Sequence, residues 1–175
     1  QAETRHIQVA LSGHRPAEAE RLLTGRELRQ VDAIGAPSLK LGNEWLIQLG
    51  RLNHSLGRWP EALAVYRQLE ERTRSHEPLL HARASYDIAA VLTAVAAGEP
   101  GAAAVRAAAA AALVAADAGG DPELTVRALL LVGRLDDDPA RLARCSEQAA
   151  RSGLETLLAA CRLAQAAQLA EAGQR

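Results

Sequence analysis

The stretch Leu56–Tyr66, LGRWPEALAVY, sets a glycine, a tryptophan and a proline directly before an Ala-Leu-Ala-x-x-Tyr run. Proline suits the first turn of a helix, where its missing N–H would have lacked a partner anyway. Glycine just past a helix end lets the chain turn through the left-handed conformation. Gly57 therefore closes one helix and Pro60 opens the next. The same punctuation recurs along the chain. Pro16, Pro60, Pro100 and Pro139 are spaced by 44, 40 and 39 residues, and Pro37, Pro78 and Pro122 by 41 and 44. Gly13, Gly35, Gly57, Gly98 and the pair Gly119-Gly120 stand before several of them. Stop and restart with a period of about 40 residues marks an array of helical hairpins.

The punctuation predicts helices over Ala2–Ser12, Pro16–Ile34, Ser38–Leu56, Pro60–Arg74, Pro78–Ala97, Pro100–Ala118, Pro122–Leu135, Pro139–Ser152 and Leu154–Ala172. These form about four hairpins and one unpaired last helix. That helix is expected to cap the array with an outward polar stripe of Glu155, Arg162, Gln165 and Gln168, because an open end of a solenoid needs a polar face. The expectation is one all-α solenoid domain over residues 1–175, cut from a longer chain.

Composition agrees with helices. Of 175 residues, 49% are apolar but only 2% aromatic, with no Phe and no Met. A core of Ala and Leu must be thin and closely approached, and Ala ranks first in helix propensity. Strand-favouring β-branched and aromatic residues are sparse. A net charge of −1 argues against a nucleic-acid footprint. No apolar run suits a membrane span. Cys145 and Cys161 read as small core thiols, which points to a reducing, cytoplasmic setting.

The segment from Trp45 to Leu69 resembles a tetratricopeptide repeat. Leu49-Gly50 stands mid-way in the first helix, Gly57 at the turn, and Ala62 and Tyr66 four residues apart in the second helix, with Leu69 after them. Trp59 occupies the frequent aromatic position after the turn. Around Gly98, Ala103 and Ala107 take the small and aromatic positions, so the aromatic is lost. The resemblance implies a right-handed superhelix whose first helices line a concave groove. On this pattern Tyr66 and Trp59 fill the gap between one hairpin and the next. Linkers such as AGGDPE are similar to those of helical arrays in large bacterial transcriptional regulators and signal-transduction ATPases.

The sequence offers no catalytic constellation. His6, His14, His54, His76 and His81 lack the i, i+4 spacing of a helical metal site. Asp136-Asp137-Asp138 reads as a helix cap rather than a cation site. Phosphate-loop patterns are absent. No cofactor is expected. The resemblance instead implies a partner-binding groove at Glu44, Ile47, Arg51, His54 and Ser55. By period it continues through Ser85, Ile88, Leu92 and Val95, then Arg127, Leu130 and Arg134. Such a groove is apolar in its middle and Arg-bearing on both sides, which suits an amphipathic helix or an extended peptide with acidic ends. The family's chaperone-tail clamp uses Lys and Asn at these positions, and here Arg51 and His54 replace Asn.

The expected function is a non-catalytic protein-interaction scaffold that binds a peptide or domain, without direct nucleic-acid or membrane contact. Two other functions fit the sequence: a small-molecule effector-sensing module, and self-association as a homodimer through the Ala-rich helix that starts at Pro100.

Overall fold

The computed structural model describes residues 39–96 and 102–173. Among them are seven α-helices and no strand: α1 (Leu39–Ser55), α2 (Trp59–Thr73), α3 (Pro78–Val95), α4 (Ala102–Gly119), α5 (Pro122–Leu135), α6 (Pro139–Arg151) and α7 (Glu155–Gly173). The first two expected helices lie outside the described residues. The other seven end within two residues of the expected bounds. None is long and apolar enough to cross a membrane.

The turns explain this agreement. Pro78, Pro122 and Pro139 each occupy the first turn of a helix. Three turns share one geometry, in which the amide three residues past the helix end donates back to a carbonyl five residues earlier. The bonds are Arg58 N to Asn53 O, Asp138 N to Gly133 O and Leu154 N to Ala149 O, at 2.9–3.0 Å. Each needs a left-handed residue, supplied by Gly57, Asp137 and Gly153. The acidic triplet caps as expected. Asp138 accepts from the amides of Ala140 and Arg141 at 2.9 and 3.1 Å, and Asp121 does the same for Glu123 and Leu124 at the start of α5.

The chain divides into two compact units, one reaching Arg72 and the other starting at Thr73. In the first, α1 and α2 approach closely at Gly50. A Cβ built on Gly50 would lie 2.4 Å from Tyr66 Cε1, and Tyr66 is 1% exposed. Ala62 and Leu69, on the same face of α2, are fully buried. The ring of Tyr66 thus packs into its own helix pair, over Gly50. Trp59 turns back onto its own turn and meets His54 edge-on at 5.3 Å.

In the second unit each helix packs on its neighbour in the chain, and α5 also touches both α3 and α7. The α3–α4–α5 core is built from small residues. Ala82 and Ala89 of α3 meet Ala109, Ala112 and Ala116 of α4 and Leu124, Ala128 and Val132 of α5, with Tyr86 and Leu113 between them. The Ala-rich run is therefore used to bring α4 close to its own neighbours. A larger core joins α5, α6 and α7 through Val126, Leu129, Cys145, Ala149 and Cys161.

Two expectations are corrected here. Cys145 and Cys161 are not free core thiols but a disulfide between α6 and α7. The polar stripe of α7 does not face outward as a set. Gln165 and Gln168 are half-buried, with Gln165 accepting from Ser146 at 3.0 Å and Gln168 donating to Gly133 O at 3.4 Å. The exposed side of α7 instead carries Leu163 and Leu169, at 72% and 74% exposure.

Candidate partner-binding seam

The groove residues expected on α1 share its open face. Glu44 and Ser55 are exposed, and Ile47, Arg51 and His54 are half-buried. At about 100° per residue the five fall within roughly a third of the helix circumference. Asn43, Leu46, Gln48, Leu52 and Asn53 on the remaining arc are buried. On α3 the expected lining is less open. Ser85 and Ile88 are buried, Leu92 is half-buried and Val95 is exposed.

On α5 the expectation meets a surface feature. Arg127 and Arg134 stand seven residues apart, two turns of helix, and project from the same face. Each lines a cleft along the seam between α5 and α7. The first cleft, of about 490 Å³, is bounded by Glu123, Arg127 and residues Gly153–Leu157. The second, of about 450 Å³, is bounded by Arg134, Asp137, Ala160, Leu163, Ala164, Ala167, Gln168 and Glu171. Leu130, half-buried against the α5–α6–α7 core, stands between the two arginines on α5, and Leu157, also half-buried against that core, belongs to the first cleft. Both clefts open to solvent.

The two arginines differ electrically. Arg127 is held by Glu123 at 2.7 Å, with a second bond from its Nε at 2.9 Å. It also donates to the Tyr86 hydroxyl. Burial works against the Arg127 charge, but the hydrogen bond and negative charge of Glu123 outweigh it and hold the guanidinium above its usual range. Burial likewise pushes the Tyr86 hydroxyl above its ordinary value, and Arg127 pulls it part of the way back. Arg134, in contrast, is exposed and makes no ion pair among the described residues.

Sequence reasoning missed the groups that α7 and the α5–α6 turn add to this seam. Glu155 lines the first cleft, and Asp137 and Glu171 line the second. Asp137 accepts from Gln168 Nε2 at 3.3 Å. The Gln168 amide oxygen is buried with no partner among the described residues. Asp136 and Asp138 take no part in the seam. They are committed to Arg106 and Arg141 and to capping α6. The helical spacing of Arg127 and Arg134 was readable from sequence, whereas the acids opposite them needed knowledge of which helices share the seam.

No His, Cys, Asp or Glu group suited to a metal ion occurs among the described residues. Comparison with protein-family models gives no match, and comparisons with curated proteins and with solved structures give none either.

Proposed function

We propose that this chain is a non-catalytic binding module which takes a segment of a partner protein along the α5/α7 seam. The observation that carries the reading is the pair of open clefts at Arg127 and Arg134, with the half-buried Leu130 between the two arginines on α5. An apolar middle with polar groups at each end is the pattern of a helix-in-groove site. An effector-sensing role calls for an enclosed pocket with convergent polar groups, and neither cleft is enclosed. The recurring turn geometry and the α3–α5–α7 packing support a tetratricopeptide-like array as the scaffold. On that reading the chain works inside a larger bacterial regulatory or signalling protein.

The test is selection of peptides from a displayed random library on the whole chain, followed by affinity measurement on two variants. Ala164→Trp fills the Arg134 cleft. Val114→Trp alters an exposed position of α4, 70% accessible and off the seam. Both variants are first checked for an unchanged melting transition. The proposal expects selected peptides to lose at least ten-fold affinity for Ala164→Trp and to keep it for Val114→Trp. Peptides indifferent to Ala164→Trp, or no enriched peptides at all, would overturn it.

A further inference from the structure

The last helix is held differently from those before it. α3 and α5 each bury seven residues and α6 three, whereas α7 buries Cys161 alone. Its other apolar anchors, Leu157 and Leu158 with Leu154 just before them, are half-buried and all lie N-terminal to Cys161. Beyond Cys161 the helix has no buried residue, and Leu163 and Leu169 stand exposed. Two glutamines make the side-chain hydrogen bonds of that half. Gln165 meets Ser146 at 3.0 Å, and Gln168 meets Gly133 O and Asp137 at 3.4 and 3.3 Å. Open clefts flank it on both sides, one of about 590 Å³ at Pro139, Gln165 and Leu169, the other at Arg134 and Ala164.

The one buried residue of α7 is also its covalent tie, through the disulfide to Cys145 of α6. Both cysteines are fully buried, so a reductant meets neither in the closed structure. Gln165 and Gln168 follow Cys161 by four and seven residues, on the same face of the helix. Unwinding α7 from Gly173 back to Arg162, about three turns, breaks their hydrogen bonds, draws no buried side chain into water and uncovers Cys161 from its C-terminal side. Segments held this weakly open at far lower cost than the whole fold.

We propose that the Cys145–Cys161 bond is a redox-sensitive clasp: a dithiol reductant reaches it when the last turns of α7 fray, and its state decides whether α7 stays docked on α5 and α6. A thiolate of the reductant attacks Cys161 Sγ, the sulfur that fraying uncovers, and forms a mixed disulfide there. Cys145 leaves as a thiolate and takes up a proton. The second thiol of the reductant gives up its proton, closes on the first sulfur and releases Cys161, which is protonated in turn. Two electrons pass from the dithiol, which ends as a cyclic disulfide, to the protein, which ends with two thiols. α7 then keeps only its half-buried leucines and the glutamine hydrogen bonds, and its release bares Val126 and Leu129 of α5. The inference does not depend on the seam being a binding surface.

The test uses the whole chain, with dithiothreitol as the dithiol and alkylation followed by mass measurement to count reduced molecules. Well below the unfolding midpoint the reduction rate should hardly change with urea, because fraying exposes little surface. The double variant Gln165→Ala, Gln168→Ala should be reduced at least three-fold faster than wild type, and Asp117→Ala, at an exposed position of α4, at the wild-type rate. Hydrogen exchange then reads the docking. In the oxidised chain the amides of 157–161 should exchange as slowly as those of α5, and in the reduced chain at least ten-fold faster than α5. Oxidised glutathione should restore the match. A reduction rate that climbs with urea in step with global unfolding would overturn the proposal, as would a double variant reduced no faster than wild type. So would α7 protection that stays matched to α5 after reduction. A reduced chain that loses protection in every helix together also sinks it, since the bond would then staple the whole fold rather than one helix.

Discussion

The ring of Tyr66 lies over the Cα of Gly50, so close that the smallest side chain at position 50 would enter it, at 2.4 Å from Cε1. Helix interiors normally favour alanine over glycine by about 1 kcal/mol. Here Gly50→Ala should instead destabilise the α1–α2 pair, because a fully buried ring has no room to retreat. Overpacking of this kind costs about 1–3 kcal/mol. Denaturant unfolding of Gly50→Ala checks the sign. Combining it with Tyr66→Leu, which leaves space, should recover part of the loss.

A second close approach, Gly133 against Leu142, tests the same rule in the other unit. A Cβ at 133 would fall 2.7 Å from Leu142 Cδ2. Leucine can change rotamer where a tyrosine ring cannot. Gly133→Ala is therefore expected to cost less than Gly50→Ala in matched urea titrations.

Asp138 stands first among the capping residues. Its carboxylate accepts two amide hydrogens of α6 and pairs with Arg141 at 3.3 Å. Asp138→Ala should lower stability by about 1 kcal/mol. Asp138→Asn keeps the amide acceptor and should lose only a fraction of that. Equal losses for the two variants would mean that the ion pair, not the cap, holds the turn.

The Tyr86 hydroxyl gives a pH dependence with a defined sign. Burial raises its ionisation above the ordinary tyrosine value, against the pull of Arg127, with Asp87 adding to the rise and Arg83 opposing it. A raised folded-state value means that the native state holds the proton more tightly than the unfolded chain. That stability is fully present below the unfolded value of about 10. It is lost as pH rises through the folded value. Wild type should therefore lose stability above pH 10 more steeply than Tyr86→Phe, measured by urea midpoints across that range. Parallel profiles would contradict the assignment.

The Cys145–Cys161 disulfide closes a short loop across the α6–α7 turn, with both residues fully buried. A cross-link of this loop length stabilises by about 3 kcal/mol, chiefly through the unfolded chain. Cys145→Ala with Cys161→Ala should unfold at lower denaturant than the oxidised protein. Thiol titration of the unreduced wild type in denaturant should find no free thiol.

The helix ends were legible because Pro and Gly impose them locally. Pro78, Pro122 and Pro139 open helices where the sequence places them, and Gly57 and Gly153 take the left-handed turn position. Asp137 fills that same position without being a glycine, which only the backbone reveals. Gly50 stands mid-way in its helix, where the repeat pattern places it, and the residue that approaches it is Tyr66. The orientation of α7 was not legible. Its Ala and Leu residues surround the helix, so no apolar stripe dictates which side turns inward, and Gln168 buries where Leu163 does not. Likewise the pairing of two cysteines sixteen apart and the acids facing Arg127 and Arg134 depend on how helices meet, which local pattern does not encode.

The central claim is that the α5/α7 seam is the surface that works. Backbone amide shift mapping of the isotope-labelled whole chain, titrated with a peptide selected on the whole chain, tests it most directly. The account predicts saturable shifts clustered at residues 123–134 of α5 and along α7 from Leu154 to Glu171, with α4 around Val114 unmoved. Shifts gathered on the exposed face of α4, or spread evenly without saturation, would contradict it.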